Sequence, residues 1–233
     1  MSEKTRANLK NAFRKGKIPL EEDFYSLIDS GLNKADDGIT KTKGEGIRLQ
    51  SDGPNNELFA FYKNIRDLNP DWYINQKTED GNTGFNIGEP NGGSRFFIEH
   101  GGNVGIGITK PNHKLDVDGI VGMKGRVGYY AFGEVPADGK WHDILPDLNE
   151  YQAFEVVATA GTKGAHAIMH AIAVCTYGKS RGGISQTNGY FGRSRNKLEL
   201  RWTGSYFSYQ LQLRSRRHYG EGVLIRYNIS KLF

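Results

Sequence analysis

The sequence predicts a mainly β chain with a short N-terminal helical segment, a slender β shaft and a C-terminal antiparallel β-sandwich knob. Composition points there first: 31 glycines, 12 phenylalanines and 12 tyrosines with only seven prolines in 233 residues suit many short strands and tight turns. The period of the hydrophobic pattern is the second sign. It is helical near the N-terminus and alternates every second residue toward the C-terminus. Third, a mean hydropathy of −0.60 is polar for a monomer with a self-sufficient core. Small cores shared between chains, as in a fibrous or oligomeric β protein, fit that value better.

Residues 1–43 form the helical segment. Ser2 or Thr5 can cap a first helix that carries Leu9 and Phe13 on one face, and Gly16 stops it. Pro19 suits the first turn of a second helix, whose positive end gathers Glu21, Glu22 and Asp23. Leu20, Phe24, Leu27 and Ile28 make an apolar stripe at helical spacing, running out near Asn33. So short a hairpin cannot bury that stripe alone. Its partner is a copy of itself, a socket on another protein, or the rest of its own domain.

Residues 44–122 follow as the shaft. The approach, DDGITKTKGEGIRLQSDGPNN (36–56), reads as linker and first turn. Short apolar-aromatic runs (ELFAFY, WYINQ, GFNIG, RFFIEH, VGIGI) then alternate with turns such as EDGNTG and EPNGGS. None is long, which predicts a thin stack of strands.

Residues 123–233 carry longer alternating runs. In LELRWTGSYFSYQLQLRSR, Leu198, Leu200 and Trp202 alternate with Glu199, Arg201 and Thr203. After a turn at TGS, Phe207, Tyr209, Leu211 and Leu213 alternate with polar residues. Val223, Ile225, Tyr227 and Ile229 repeat the pattern, and FEVVATA and AHAIMHAIAVCTY add two apolar runs. One buried and one polar face per strand predict a two-sheet antiparallel domain, with Trp202 in the core.

Charge marks this last region. From Lys179 to Arg217 nine Lys and Arg face one acid, Glu199. Such a surface attracts phosphate, sulfate or carboxylate-bearing partners. Tyr190, Arg193, Arg195, Tyr206, Arg216 and Tyr219 are the candidate ligand-binding residues. Aromatic planes stack on sugar faces, while guanidinium forks grip acidic groups. The loop 185–196 is their expected centre. Nucleic acid would also suit this mix, but no recognised nucleic-acid motif is present.

No constellation predicts catalysis. His166 and His170 share one side of a strand without an HExxH pattern, a carboxylate or a cysteine beside them, and no metal site is expected. GKSRGG (178–183) lacks the context of a phosphate loop, and Asp143 and Asp147 read as solvated loop acids. Nothing brings together nucleophile, base and orienting group, so neither enzyme nor cofactor is predicted. Cys175 sits alone among apolar neighbours as a small buried hydrophobe. The N-terminus has no apolar signal core and no run is long enough to span a membrane. The expectation is a chain made in the cytoplasm that acts outside the cell on a larger particle.

GNVGIGITKPNHKLDVDG (102–119) resembles the GNVGIGT-x-x-P-x-x-KL-x-V-x-G signature of phage tail fibres and related trimeric fibre proteins. Gly102, Asn103, Val104, Gly105, Ile106, Gly107, Pro111, Lys114, Leu115, Val117 and Gly119 carry the match. Ile108 stands where the family usually has Thr. The stretch LKNAFRKGKIPLEEDFYSLIDSGLNKADDGI resembles the leading segment of fibres from contractile injection systems. The resemblance implies a homotrimer. It also implies attachment to a baseplate or tail protein through the helices, and a terminal domain that binds a cell-surface glycan or acidic polymer. Val104, Ile106 and Ile108 would then line a shared core, with Gly105 and Gly107 on the other face. The alternative is a free lectin-like adhesin with the same binding surface.

Overall fold

A computed structural model describes residues 4–51, 53–54, 56–78, 80–178 and 182–233; Ser2, Lys179 and Arg181 lie outside the described residues. The fold is mainly β, with two short α-helices and sixteen strands among the described residues. The chain divides into two compact units, 1–122 and 123–233.

The first unit opens with α1 (Arg6–Ala12) and α2 (Glu21–Asp29). Thr5 caps α1 by accepting from the Asn8 amide at 3.3 Å. The start of α2 differs from expectation. Pro19 precedes the cap position, which falls on Leu20, a residue with no capping side chain. Asp23 instead makes the reverse half of a capping box, accepting from the Leu20 amide at 3.1 Å. Lys4 then pairs with Asp23 at 3.1 Å, and Phe13 meets Phe24 edge-on at 5.2 Å. These contacts clip the two helices together. A two-stranded ribbon follows, β1 (Ile39–Lys41) with β2 (Ile47–Leu49).

Six short strands come next: β3 (Glu57–Phe61), β4 (Trp72–Lys77), β5 (Thr83–Glu89), β6 (Gly93–Glu99), β7 (Val104–Ile106) and β8 (Leu115–Val117). They form one sheet in chain order, antiparallel except for the parallel pair β7–β8. Register sorts its side chains. On one face a row runs Phe59, Ile74, Ile87, Phe96, Ile106, Val117 across all six strands. A second row runs Phe85, Ile98, Val104, Leu115, with Phe61 beside Trp72.

The opposite face is of another kind. Asn86 donates to Asn75 at 2.8 Å and accepts from Ser94 at 2.5 Å, all within the sheet. Tyr73 and Phe97 lie over Gly88 and Gly84, where a β-carbon would collide with their rings. The β7–β8 crossover covers this side, held by Asn103 to the Pro111 carbonyl and by Thr109 to Asp80 and Asn82. A β-carbon at Gly105 would overlap the Ile108 carbonyl oxygen of that crossover. Ile108 is therefore not a third residue of the Val104–Ile106 face. It lies in the crossover, against Gly105.

The second unit has two antiparallel sheets. β9 (Ala131–Pro136), β11 (Tyr151–Thr162), β12 (Ala165–Thr176), β13 (Gly183–Phe191) and β16 (Leu224–Lys231) pair in the order β13-β12-β11-β16-β9. β10 (His142–Leu148), β15 (Ser208–Ser215) and β14 (Leu198–Ser205) make the smaller sheet, in that order. Both give their apolar sides to one cluster: Phe154, Val156, Met169 and Ile225 from the larger sheet, Leu198, Leu211 and Leu213 from the smaller. Trp202 and Tyr227 rest against it. Alternation places these residues inward, and each fully buried Leu or Phe contributes about 1.5–3 kcal/mol.

The open edge of β14 is closed by side chains. Gln186 accepts from the Leu200 amide at 3.2 Å and donates to the Leu198 carbonyl at 3.3 Å, and Asn188 accepts from the Leu198 amide at 2.9 Å. The β14–β15 turn departs from the expected TGS. Strand pairing continues to Ser205 opposite Ser208, and Tyr206 and Phe207 make the turn, with Phe207 at φ 61°. Gly204 is needed within the strand instead, because a β-carbon there would lie 2.6 Å from Tyr209 Cα.

Candidate ligand-binding face

Alternation in the smaller sheet turns its charged residues outward. Arg214 lies opposite Glu199, and Gln212 lies between Asp143 and Arg201. Trp141, immediately before β10, joins them on this side. The Arg201 guanidinium lies 4.4 Å and that of Arg214 4.3 Å from its ring centre. Such stacking is strongest on indole, and it fixes two mobile side chains over a flat ring.

The pairing on this face is uneven. Glu199 accepts from Arg214 Nε at 3.0 Å and Nη2 at 2.7 Å with one oxygen, and pairs with Arg216 Nε at 2.9 Å with the other. Among the described residues Arg201 donates through Nε alone, to Gln212 at 2.7 Å. Among the described residues Arg193, Arg195 and Arg201 have no carboxylate partner. One end of the Arg201 fork is thus open toward solvent beside an aromatic ring. A cleft of about 300 Å³ opens here, lined by Trp141, Gln186, Glu199 and Arg201.

The candidate residues separate into several groups. The expected recognition loop 185–196 is strand β13 up to Phe191, so Tyr190 belongs to the five-stranded sheet and lines a cleft over it, while Arg193, Arg195 and Arg216 lie at the adjoining end of the small sheet. Asn196 donates to the Phe191 carbonyl at 2.6 Å, so the single 3₁₀ turn Ser194–Asn196 stays beside β13. Arg193 precedes this turn and Arg195 is its middle residue, both in solvent, Arg216 bonds through its amide to the Lys197 carbonyl, and Lys197 lies over the Tyr190 ring at 5.2 Å. Tyr206 is exposed but belongs elsewhere. It makes the β14–β15 turn, where Phe207 bonds to Tyr177, beyond the far end of β12 from the Tyr190 pairing. Tyr219 is a correction. It is 5% exposed, within the core cluster, and its hydroxyl donates to the Asn196 carbonyl. Its ring supports the 3₁₀ turn from beneath and presents no face to a ligand.

Sequence reasoning missed Trp141. Its own segment, GKWHDIL, shows an alternating pattern, but the two arginines that give it meaning come from strands far along the chain. Tyr209 is the buried counterpart in this unit. Burial pushes its hydroxyl up to about 12, and that hydroxyl donates to the Glu150 carbonyl at 2.8 Å.

A larger cleft, about 750 Å³, opens over the outer side of the five-stranded sheet between His166, Ile168, Phe191 and Arg226. Its arginine is already paired with Glu134 at 2.7 Å, so it offers less to an acidic ligand than the Trp141 face. His170 pairs with Glu155 at 3.0 Å, and among the described residues no three His, Cys, Asp or Glu converge as a metal site would require.

In the first unit, Leu20, Phe24, Leu27 and Ile28 remain substantially exposed after the helices have clipped together. Among the described residues no helix is long and apolar enough to cross a membrane. No protein-family model and no curated protein sequence matches the chain.

Proposed function

We propose that the chain is a receptor-binding fibre protein of a phage-like or contractile injection particle. It acts as a homotrimer. Residues 1–43 dock to a baseplate or tail protein through Leu20, Phe24, Leu27 and Ile28. The six-stranded region serves as the shaft, and the C-terminal β-sandwich is the knob that holds an acidic glycan or polymer on a target surface. The observation that carries the binding reading is Trp141 beneath Arg201 and Arg214, with Arg201 unpaired by any carboxylate among the described residues. A sugar chain lies along the indole edge while its sulfate or carboxylate meets the free end of the Arg201 guanidinium. Arg216, paired with the same Glu199 carboxylate as Arg214, extends the basic face toward Lys197 and Tyr190 for a polymer. Charge-assisted bonds are worth about 1.5–3 kcal/mol each, so losing one costs roughly tenfold in affinity or more.

The test is binding of the full chain to immobilised heparin, with neutral dextran as the reference. The wild-type chain is expected to prefer heparin, and Trp141→Ala with Arg201→Ala to lose at least about tenfold in affinity. Equal binding by wild type and variant would overturn this assignment of the site. Retention on dextran alone would favour a neutral-sugar adhesin.

A further inference from the structure

The six-stranded sheet leaves one face without cover. None of the twelve side chains in its two rows and the Phe61–Trp72 pair is buried. Phe59, Phe61, Trp72 and Phe85 are each between 42% and 52% exposed, and Leu115 is 62% exposed. The opposite face is closed by its own crossover and buries Phe97 completely. A sheet that satisfies one side and leaves twelve apolar side chains on the other has a missing layer. We propose that this face is the interface between copies of the chain, which rests on the reading above that copies associate and places their contact in the first unit.

Two features select a copy as the occupant. The first is area. Aromatic side chains bury roughly 150–250 Å² each when covered, so four half-exposed aromatics with eight aliphatic or partly covered neighbours offer on the order of 700 Å² per chain. That exceeds the largest apolar patch of a typical monomer, about 300–600 Å², and approaches the roughly 800 Å² per partner of a stable interface. The second is composition. The row that register alone fixes across all six strands, Phe59 to Val117, contains no Asp, Glu, Lys or Arg; interface cores are depleted of charge, and interfaces between identical chains are the more apolar.

The face is also graded along the sheet. Phe59, Phe61, Trp72 and Phe85 lie toward the β3 end, and Val104, Ile106, Leu115 and Val117 occupy the β7–β8 end. Copies related by a rotation axis can therefore set rings of one against branched side chains of the next.

The experiment is the solution mass of the full chain by light scattering. Wild type is compared with Phe59→Arg/Phe85→Arg/Leu115→Arg, and with Val157→Arg/Ile168→Arg on the outer side of the five-stranded sheet. The expected result is a wild-type mass that is a multiple of 26.0 kDa, a triple variant at the monomer mass with an unchanged far-ultraviolet dichroism spectrum, and an unchanged double variant. A triple variant that keeps the wild-type mass overturns this interface while association itself stands. Dissociation by the double variant alone moves the interface to the second unit. A monomeric wild type removes both. Should the triple variant not fold, Leu115→Arg on the short edge strand gives the same reading. At least a tenfold rise in the dissociation concentration supports the interface, and no rise overturns it.

Discussion

At Gly105 the chain comes so close to itself that no side chain fits. The Ile108 carbonyl of the crossover occupies the space a β-carbon would take, and backbone cannot yield there as a flexible side chain would. Gly105→Ala should therefore lower the stability of the first unit by about 1–3 kcal/mol, the cost of overpacking a tight contact. Gly122→Ala, with no atom within 4 Å of the new carbon, should stay within about 0.5 kcal/mol. Urea unfolding followed by the fluorescence of Trp72, in a Trp141→Phe/Trp202→Phe background, measures both, and equal effects would show that Gly105 is not held by the crossover. The regular, unreactive GNVGIG string is legible in sequence as structural. That its glycine admits a crossing carbonyl is not, because the partner is a backbone atom rather than a residue type. The same limit explains Tyr219. An aromatic beside arginines looks like a ligand platform, and only the third dimension reveals that its hydroxyl is spent on Asn196.

Elements show where sequence rules suffice and where a local detail replaces them. The helical period of Leu20, Phe24, Leu27 and Ile28 finds α2, but the helix ends at Asp29 rather than near Asn33, and the rule for proline at the first turn does not hold here. Asp23 makes the reverse half of a capping box by accepting from the Leu20 amide, and Lys4 approaches the same carboxylate. The Leu20 amide first, then Lys4, draws the Asp23 carboxyl below its ordinary value of 3.8. A depressed folded-state value means that the contribution is fully present above 3.8 and fades as pH falls through the lower, folded value. The clip between α1 and α2 should accordingly hold at neutral pH and loosen only in acid. The Leu20 amide proton resonance should titrate with a midpoint below 3.8, and Asp23→Asn should abolish that titration. A midpoint at or above 3.8 would mean that the carboxylate does not cap the helix.

For the whole molecule, the alternating pattern of each strand is visible in one dimension, but the pairing order that brings strands together is not. The inward and outward residues of β14 and β15 follow from alternation alone, whereas β11 and β12 read only as apolar runs, in which Val157, Ile168 and Val174 turn outward and small alanines turn in. The sheet order β13-β12-β11-β16-β9 does not, nor does the meeting of Trp141 with Arg201 and Arg214. The two proposals make different demands on the same chain. Under the proposed function, the small basic face of a single copy holds a polyanion weakly, and salt screens it. Copies joined through the apolar face of the first unit present several such faces at once, and the second contact then forms at a high effective concentration. On densely coated heparin, the wild-type chain should therefore bind with an apparent affinity about 10²-fold or more above that of Phe59→Arg/Phe85→Arg/Leu115→Arg, although Trp141 and Arg201 are untouched. On sparsely coated heparin, where one polymer chain meets one face, the difference should shrink toward zero. A difference independent of coating density would mean that the substitutions act on the binding face itself. A difference that depends on density would tie adhesion to assembly, with the first unit supplying valency and the second supplying the contact.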